Sequence, residues 1–118
     1  MPKVLLIEDD ATMLSLLCTL LEIEGFSVAK FAPDVDILEQ IRAEQPDVVV
    51  LDVNFQGMGA GGLDVLKTLR GDPALQGTRV LMVSGMDYER EALEAGADGF
   101  LLKPFMPDAL IQRIRAFV

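Results

Sequence analysis

Short apolar runs alternate with longer segments of helical periodicity, and this alternation limits the possible folds more than any other feature of the chain. Three runs, at residues 4–7, 48–51 and 80–83, are rich in β-branched residues and apolar at both odd and even positions. Strands that are apolar on both faces are typical of a parallel sheet covered by helices on each side. Residues 26–30 and 99–102 are weaker strand candidates.

Segments with apolar residues at helical spacing follow each of these runs. The first helical segment, residues 12–24, places Leu14, Leu17 and Leu21 on one face, and Gly25 is a typical helix stop. The order βαβαβαβαβα predicts an α/β fold, a single doubly wound sandwich with right-handed crossovers. The remaining predicted helices cover residues 34–44, 63–70, 87–95 and 107–118.

Size and charge exclude several classes of protein. The 118 residues suit one domain, residues 1–118, and 51% apolar content can fill its core without disulfides or a structural metal. A net charge of −9 opposes direct binding to nucleic acid. The chain contains no histidine, which excludes imidazole-based catalysis and imidazole metal ligands.

Location is predicted from what the sequence lacks. No apolar run reaches the roughly 18 residues that would span a membrane, and the N-terminal residues do not have the form of a secretory signal. The single Cys18 cannot form an internal disulfide, which fits a reducing compartment. We therefore expect a cytoplasmic protein with no membrane partner.

Polar residues directly follow four of the five predicted strands. In an open parallel sheet, ligands bind beyond the carboxyl ends of the strands, so these side chains are expected to share one site. They are Glu8, Asp9 and Asp10 after the first strand, Asp52 and Asn54 after the third, Ser84 after the fourth and Lys103 after the fifth.

The types of side chain at this edge indicate phosphoryl transfer. If the first and third strands are neighbours, their ends lie about 5 Å apart. Asp9 and Asp52 would then raise each other's pKa unless a cation intervened. Oxygen ligands that are few in number and completed by water favour Mg²⁺ over Ca²⁺. Lys103 can add a mobile positive charge. In the absence of histidine, Asp52 is the natural covalent acceptor.

Four motifs, in order and each at a strand end, resemble the receiver domain of two-component response regulators. Each motif alone is weak, but the ordered set is specific and covers nearly the whole chain. The resemblance implies a single (βα)5 flavodoxin-like sandwich with a parallel five-stranded sheet in the order 2-1-3-4-5. The motifs are LLIEDD at residues 5–10, DVVVLD at 47–52, VLMVSG at 80–85 and AGADGFLLKPF at 95–105.

The resemblance also implies a metal-assisted phosphoacceptor. Asp52 would take a phosphoryl group from the phosphohistidine of a histidine kinase or phosphotransfer protein and become 4-aspartylphosphate. Glu8, Asp9, Asp52 and the backbone carbonyl of Asn54 would hold Mg²⁺, with Glu8 acting largely through coordinated water. The domain would thus catalyse only its own phosphorylation and dephosphorylation.

Further residues match the positions that bind and report the phosphoryl group in this family. Ser84 and Lys103 would each bind one phosphoryl oxygen. Phe100 would be an aromatic switch that turns inward when Ser84 moves toward the phosphoryl group. The peptide bond before Pro104 would be cis. The altered surface would act on a downstream protein or on a missing output domain, and a standalone protein and a fragment of a longer regulator both remain open.

Three local features depart from the family pattern. Residues 54–62 contain four glycines and no proline, so we expect this segment to settle only with ion, phosphate or partner bound. The stretch from Ser84 to Lys103 is about 3 residues short, which shortens the fourth helix and puts the usual output surface in doubt. Gly85 would leave the phosphoryl group more open to water.

Simpler interpretations compete with each of these assignments. Asp10 is better explained as a helix N-cap than as a ligand. A pseudo-receiver, which keeps the fold as a binding module without phosphorylation, is the main alternative function. A flavodoxin-type nucleotide binder is disfavoured, because the three consecutive acids after the first strand would repel a phosphate.

Overall fold

A five-stranded parallel sheet forms the centre of the computed structural model, which describes residues 2–8, 10–31, 36–57 and 60–118. Its spatial order is β2-β1-β3-β4-β5, so the predicted order is confirmed. The central position of β3 places its carboxyl end between those of β1 and β4. The strands are β1 Lys3–Ile7, β2 Ser27–Lys30, β3 Val48–Asp52, β4 Arg79–Ser84 and β5 Gly99–Leu102.

Five α-helices connect and follow the strands, with bounds close to those predicted. The second helix differs most, since it begins at Ile37 rather than residue 34. Asp36 caps it by accepting hydrogen bonds from the N–H groups of Leu38 and Glu39. None of the helices in the described part of the chain is long and apolar enough to cross a membrane. The helices are α1 Ala11–Ile23, α2 Ile37–Glu44, α3 Gly62–Arg70, α4 Glu89–Glu94 and α5 Pro107–Phe117.

Glycines follow two of these helices, and the first of them, Gly25, is the helix stop that the sequence predicts. Gly25 follows α1 with a φ of 95°, and Gly96 follows α4 with a φ of 106°. Left-handed backbone of this kind carries little steric cost only for glycine. The six-residue α4 is shorter than the predicted 87–95 segment, so the helix that precedes β5 is a short one.

The two faces of the sheet bury separate apolar clusters. Alternate strand residues, such as Val49 and Leu51, pack with α2, α3 and α4, whereas Val48 and Val50 pack with α1 and α5. Every residue of β3 is buried, which explains why its sequence is apolar at both parities. The core therefore holds the end of β3 rigidly at the sheet edge, where the polar residues follow.

Candidate functional site

Asp52 is the last residue of β3, and its side chain is held from two directions. Its Oδ1 atom accepts a hydrogen bond of 2.8 Å from the backbone N–H of Asn54, and Oδ2 accepts one of 2.8 Å from Lys103 Nζ. The residue is only 8% exposed. Both carboxylate oxygens are therefore engaged at the carboxyl edge of the sheet.

Lys103, just beyond β5, joins acids from two strands. Its Nζ atom lies 2.8 Å from Glu8 Oε2 and 2.8 Å from Asp52 Oδ2. Burial, the largest single effect, lowers the pKa of the Lys103 amine, but the hydrogen bonds and charges of Asp52 and Glu8 together raise it above its ordinary value. The Lys103–Pro104 peptide bond is cis, as the resemblance implies.

Ser84 ends β4 beside this pair and is fully buried. Its Oγ atom accepts hydrogen bonds from the backbone N–H of Met86, at 3.1 Å, and from Asn54 Nδ2, at 3.4 Å. Its carbonyl accepts a 2.7 Å bond from the N–H of Lys103. The side chains of Ser84, Asp52 and Lys103 thus belong to one connected hydrogen-bond network, which runs through Asn54.

The acids after β1 have different roles. Glu8 Oε1 accepts a 3.1 Å hydrogen bond from the N–H of Asp10, and Glu8 Oε2 faces Lys103. Asp10 caps α1 by accepting from the N–H groups of Thr12 and Met13, as predicted. Asp9 lies outside the described residues, so its part in a metal site stays a prediction.

The described side chains suit a hard divalent cation in chemical type. Glu8 and Asp52 present carboxylates to one point of positive charge, which the Lys103 ammonium supplies here. Carboxylate oxygens are ligands that Mg²⁺ prefers. Within residues 2–8, 10–31, 36–57 and 60–118, however, no group of three or more acidic, cysteine or histidine side chains is arranged to hold a metal. A complete ligand set would need Asp9 and the carbonyl of Asn54, as the resemblance implies.

Known proteins resemble this chain over nearly its whole length. The family model described as "Response regulator receiver domain" matches residues 4–115. This chain belongs to that family. A relative, the DNA-binding response regulator MtrA of Mycobacterium tuberculosis, is 34% identical over 117 residues, which cover 97% of this chain and 49% of the relative. The transcriptional regulatory protein PrrA of the same species is 34% identical, over 99% of this chain and 50% of its own length.

Solved structures extend the agreement to three dimensions. A putative response regulator from Chloroflexus aurantiacus superposes with a TM-score of 0.88 at 30% identity, covering 99% of this chain and 98% of that one. The chemotaxis response regulator CheY4 of Vibrio cholerae gives a TM-score of 0.87 at 26% identity, with coverages of 100% and 99%. The receiver-domain fold is thus shared over its whole length, whereas this chain spans about half the length of the curated relatives above.

Phe100 of this receiver domain is packed inward. It lies on β5 opposite Met82 of β4, is 4% exposed, and shares an apolar cluster with Ala92 of α4. The ring therefore already occupies an interior position, and its role as a switch stays a prediction.

Part of the glycine-rich segment after Asp52 forms a short antiparallel ribbon. The two-residue strands Gln56–Gly57 and Ala60–Gly61 pair with each other. Phe55, 2% exposed, packs edge-on against Phe31 with ring centroids 4.9 Å apart. A buried aromatic ring thus precedes the ribbon, and the expectation that the segment settles only with ion, phosphate or partner bound stays a prediction. Residues 58 and 59 lie outside the described residues.

Gly62 is a site-forming residue that the sequence did not single out. It begins α3, and its N–H donates a 3.0 Å hydrogen bond to the carbonyl of Val53. A Cβ atom here would collide with the carbonyl oxygen of Asp52 and stand 2.8 Å from Val53 Cα. Only glycine therefore lets α3 start directly against the end of β3. The glycine-rich composition was visible, but the position that needs glycine was not.

Proposed function

We propose that this receiver domain accepts a phosphoryl group on Asp52, with Mg²⁺, and thereby switches a protein-interaction surface. The observation that carries the proposal is the 2.8 Å contact between Lys103 Nζ and the buried carboxylate of Asp52. A fixed carboxylate beside a permanent positive charge is suited to accept a phosphoryl group, since phosphoryl transfer depends mainly on positioning and charge neutralisation.

The proposed transfer uses residues in distinct roles. A carboxylate oxygen of Asp52 attacks the phosphorus of a phosphohistidine on the partner, forming a P–O bond. The P–N bond breaks, and the departing imidazole keeps its electron pair and takes up a proton. Lys103 balances the negative charge brought to Asp52, and the hydroxyl of Ser84 donates a hydrogen bond to a phosphoryl oxygen. Mg²⁺, held by Glu8, Asp9, Asp52 and the Asn54 carbonyl, would supply further charge neutralisation.

Dephosphorylation would be the second reaction that the domain catalyses on its own Asp52. Hydrolysis of the acyl phosphate needs water to reach the phosphorus. Gly85 follows Ser84, and a Cβ atom built on it would contact no atom of the described residues within 4 Å. This open space supports the interpretation that water or a phosphatase can reach the phosphoryl group at Asp52.

One proposed partner acts before phosphorylation and another acts after it. A histidine kinase or phosphotransfer protein would deliver the phosphoryl group. The mycobacterial relatives are named as DNA-binding or transcriptional regulators, and this chain spans about half their length. Because the chain itself carries a charge of −9, we propose that it acts on a downstream protein or output domain rather than on DNA directly.

Intact mass measurement tests the acceptor assignment. Incubation with Mg²⁺ and a small phosphodonor should add the mass of one phosphoryl group to the wild type and to Asp64→Asn, a control for an exposed acid on α3. Asp52→Asn should gain nothing. A wild type that gains no mass under any condition would instead support the pseudo-receiver alternative. An unchanged gain in Asp52→Asn would place the phosphoryl group elsewhere.

Thermal unfolding tests the ion separately. Mg²⁺ should raise the melting temperature, because a ligand that binds only the folded state stabilises it by mass action. Asp9→Ala should abolish that rise. If the rise persists in the variant, the ion binds at some other place.

A further inference from the structure

We propose that the side-chain amide of Asn54 is a positioning group that presets the Ser84 hydroxyl as a hydrogen-bond donor to the phosphoryl group. This inference rests on the proposed function and adds to it, since the metal site would use only the backbone carbonyl of Asn54. It concerns the one polar side chain that contacts Ser84 Oγ among the described residues.

The starting observation is how the Ser84 hydroxyl uses its hydrogen-bonding capacity. A serine hydroxyl has two acceptor lone pairs and one proton to donate. In the described part of the chain, the hydrogen bonds at Ser84 Oγ are both accepted ones, from Met86 N and from Asn54 Nδ2. With both acceptor positions used, donation is the capacity left for a ligand. A phosphoryl oxygen accepts hydrogen bonds and cannot donate them, so it needs a donor at this place.

Asn54 is also tied to the acceptor residue itself. Its backbone N–H donates a 2.8 Å hydrogen bond to Asp52 Oδ1, while its amide reaches Ser84 Oγ at 3.4 Å. One residue therefore donates hydrogen bonds to both the Asp52 carboxylate on β3 and the Ser84 hydroxyl on β4. A displacement of Asn54 would weaken both bonds.

Packing in the core does not explain why the side-chain amide of Asn54 contacts Ser84. Asn54 is exposed, whereas its neighbours Asp52, Val53 and Phe55 are buried. An exposed side chain contributes little to the core, so its hydrogen bond to a fully buried serine is better explained by control of that serine. Accepting two hydrogen bonds also polarises the hydroxyl and strengthens its donation to a third group.

Two substitutions of Asn54 separate the loss of its side-chain donor from the replacement of that donor by an acceptor. Asn54→Ala removes the amide but keeps the backbone N–H and carbonyl, and it frees one lone pair of Ser84 Oγ. Asn54→Asp keeps the shape of the side chain but replaces the hydrogen-bond donor with an acceptor. The new carboxylate would accept the hydrogen bond of the Ser84 hydroxyl, which would then no longer be donated to the phosphoryl group. We expect Asn54→Asp to slow phosphorylation more than Asn54→Ala does.

A double-mutant cycle tests whether Asn54 acts through Ser84. The rate of phosphoryl gain from acetyl phosphate with Mg²⁺ is followed by intact mass in the wild type, Asn54→Ala, Ser84→Ala and the double variant. Asn54→Ala should lower the rate about three- to tenfold, the effect of losing one hydrogen bond, but less than about twofold when Ser84 is already alanine. Gln112→Ala, at an exposed position on α5, is the control and should leave the rate unchanged.

A second readout reports on the hydroxyl without any phosphoryl transfer. The N–H of Met86 donates a hydrogen bond to Ser84 Oγ. The chemical shift of this amide in nuclear magnetic resonance spectra should therefore change in Mg²⁺-free Asn54→Ala and not in Gln112→Ala. Unfolding midpoints from circular dichroism establish that each variant is folded.

The outcomes distinguish the inference from the function on which it rests. A normal rate in Asn54→Ala, or an equal loss with and without the Ser84 hydroxyl, would overturn the positioning role while leaving phosphorylation of Asp52 intact. A wild type that gains no phosphoryl mass would overturn the proposed function and this inference together.

Discussion

Lys103 Nζ lies 2.8 Å from Asp52 Oδ2, although the two residues are 51 positions apart in the chain. The fold creates this contact by placing β3 and β5 on either side of β4, with all three carboxyl ends at one edge. The same ammonium contacts Glu8 at the end of β1. The electrostatics of the site thus depend on a single lysine.

Replacing Lys103 with a neutral side chain should lower stability and raise the response to Mg²⁺. In Lys103→Met, the carboxylates of Glu8 and Asp52 lose their shared counter-charge. We expect a loss of about 1–2 kcal/mol in the free energy of unfolding, less than for a fully buried pair because the site is partly open. Added Mg²⁺ should stabilise the variant more than the wild type, as measured by urea unfolding.

The exposed Lys67 on α3 provides the matched control. Lys67→Met should change neither the stability nor the Mg²⁺ response. A Lys103→Met protein that behaved in the same way would show that the ammonium does not hold the two acids.

Stability should also fall at alkaline pH in a way that depends on Lys103. Because the folded state raises the pKa of this amine, its charged form favours folding below lysine's ordinary value of 10.5. That contribution is lost as the pH rises through the higher pKa of the folded state. Urea unfolding near neutral pH and above 10.5 should show a larger loss of free energy in the wild type than in Lys103→Met. Equal losses would contradict the assignment.

Gly62→Ala should damage both the fold and the site. The added Cβ atom would meet the Asp52 carbonyl and the Val53 backbone, so α3 or the acceptor strand must shift. We expect a cost of about 1–3 kcal/mol and slower phosphoryl gain. Gly77→Ala is the control, because a Cβ atom there meets nothing within 4 Å in the part of the chain that the structure describes. Comparable stabilities for the two variants would rule out the close approach.

The contact between Phe31 and Phe55 should anchor the segment after Asp52. Phe55→Ala removes a buried ring and should cost about 3–5 kcal/mol. The coupling energy between Phe55→Ala and Phe31→Ala should be about 0.5–1.5 kcal/mol, measured by a double-mutant cycle of urea unfolding. The same cycle with Phe117→Ala, on the opposite face of the sheet, should give a coupling near zero. Coupling that is absent from the Phe31 cycle would contradict the anchoring role.

Local sequence patterns predicted the fold and most of the site. Sequence runs that are apolar at both odd and even positions located the buried strands, and the residue after each run located the polar groups at the sheet edge. Glu8, Asp52, Ser84 and Lys103 could be found in this way because their positions depend on strand ends alone.

Features that depend on contacts between distant segments could not be predicted. Phe55, at the start of the glycine-rich segment, packs against Phe31, which follows β2, and nothing in either local pattern indicates this contact. Gly62 is one of four glycines in residues 54–62, and only the three-dimensional position of the Asp52 carbonyl shows which of them is required. The Asn54–Ser84 hydrogen bond likewise needs the register of β3 against β4.

Locating the phosphoryl group on the chain is the sharpest test of phosphorylation at Asp52. After incubation with Mg²⁺ and a phosphodonor, borohydride reduces an aspartyl phosphate to homoserine, which peptide mass mapping identifies by position. We expect homoserine at position 52 and at no other aspartate. Homoserine at another position, or none in a protein that has gained phosphoryl mass, would contradict it.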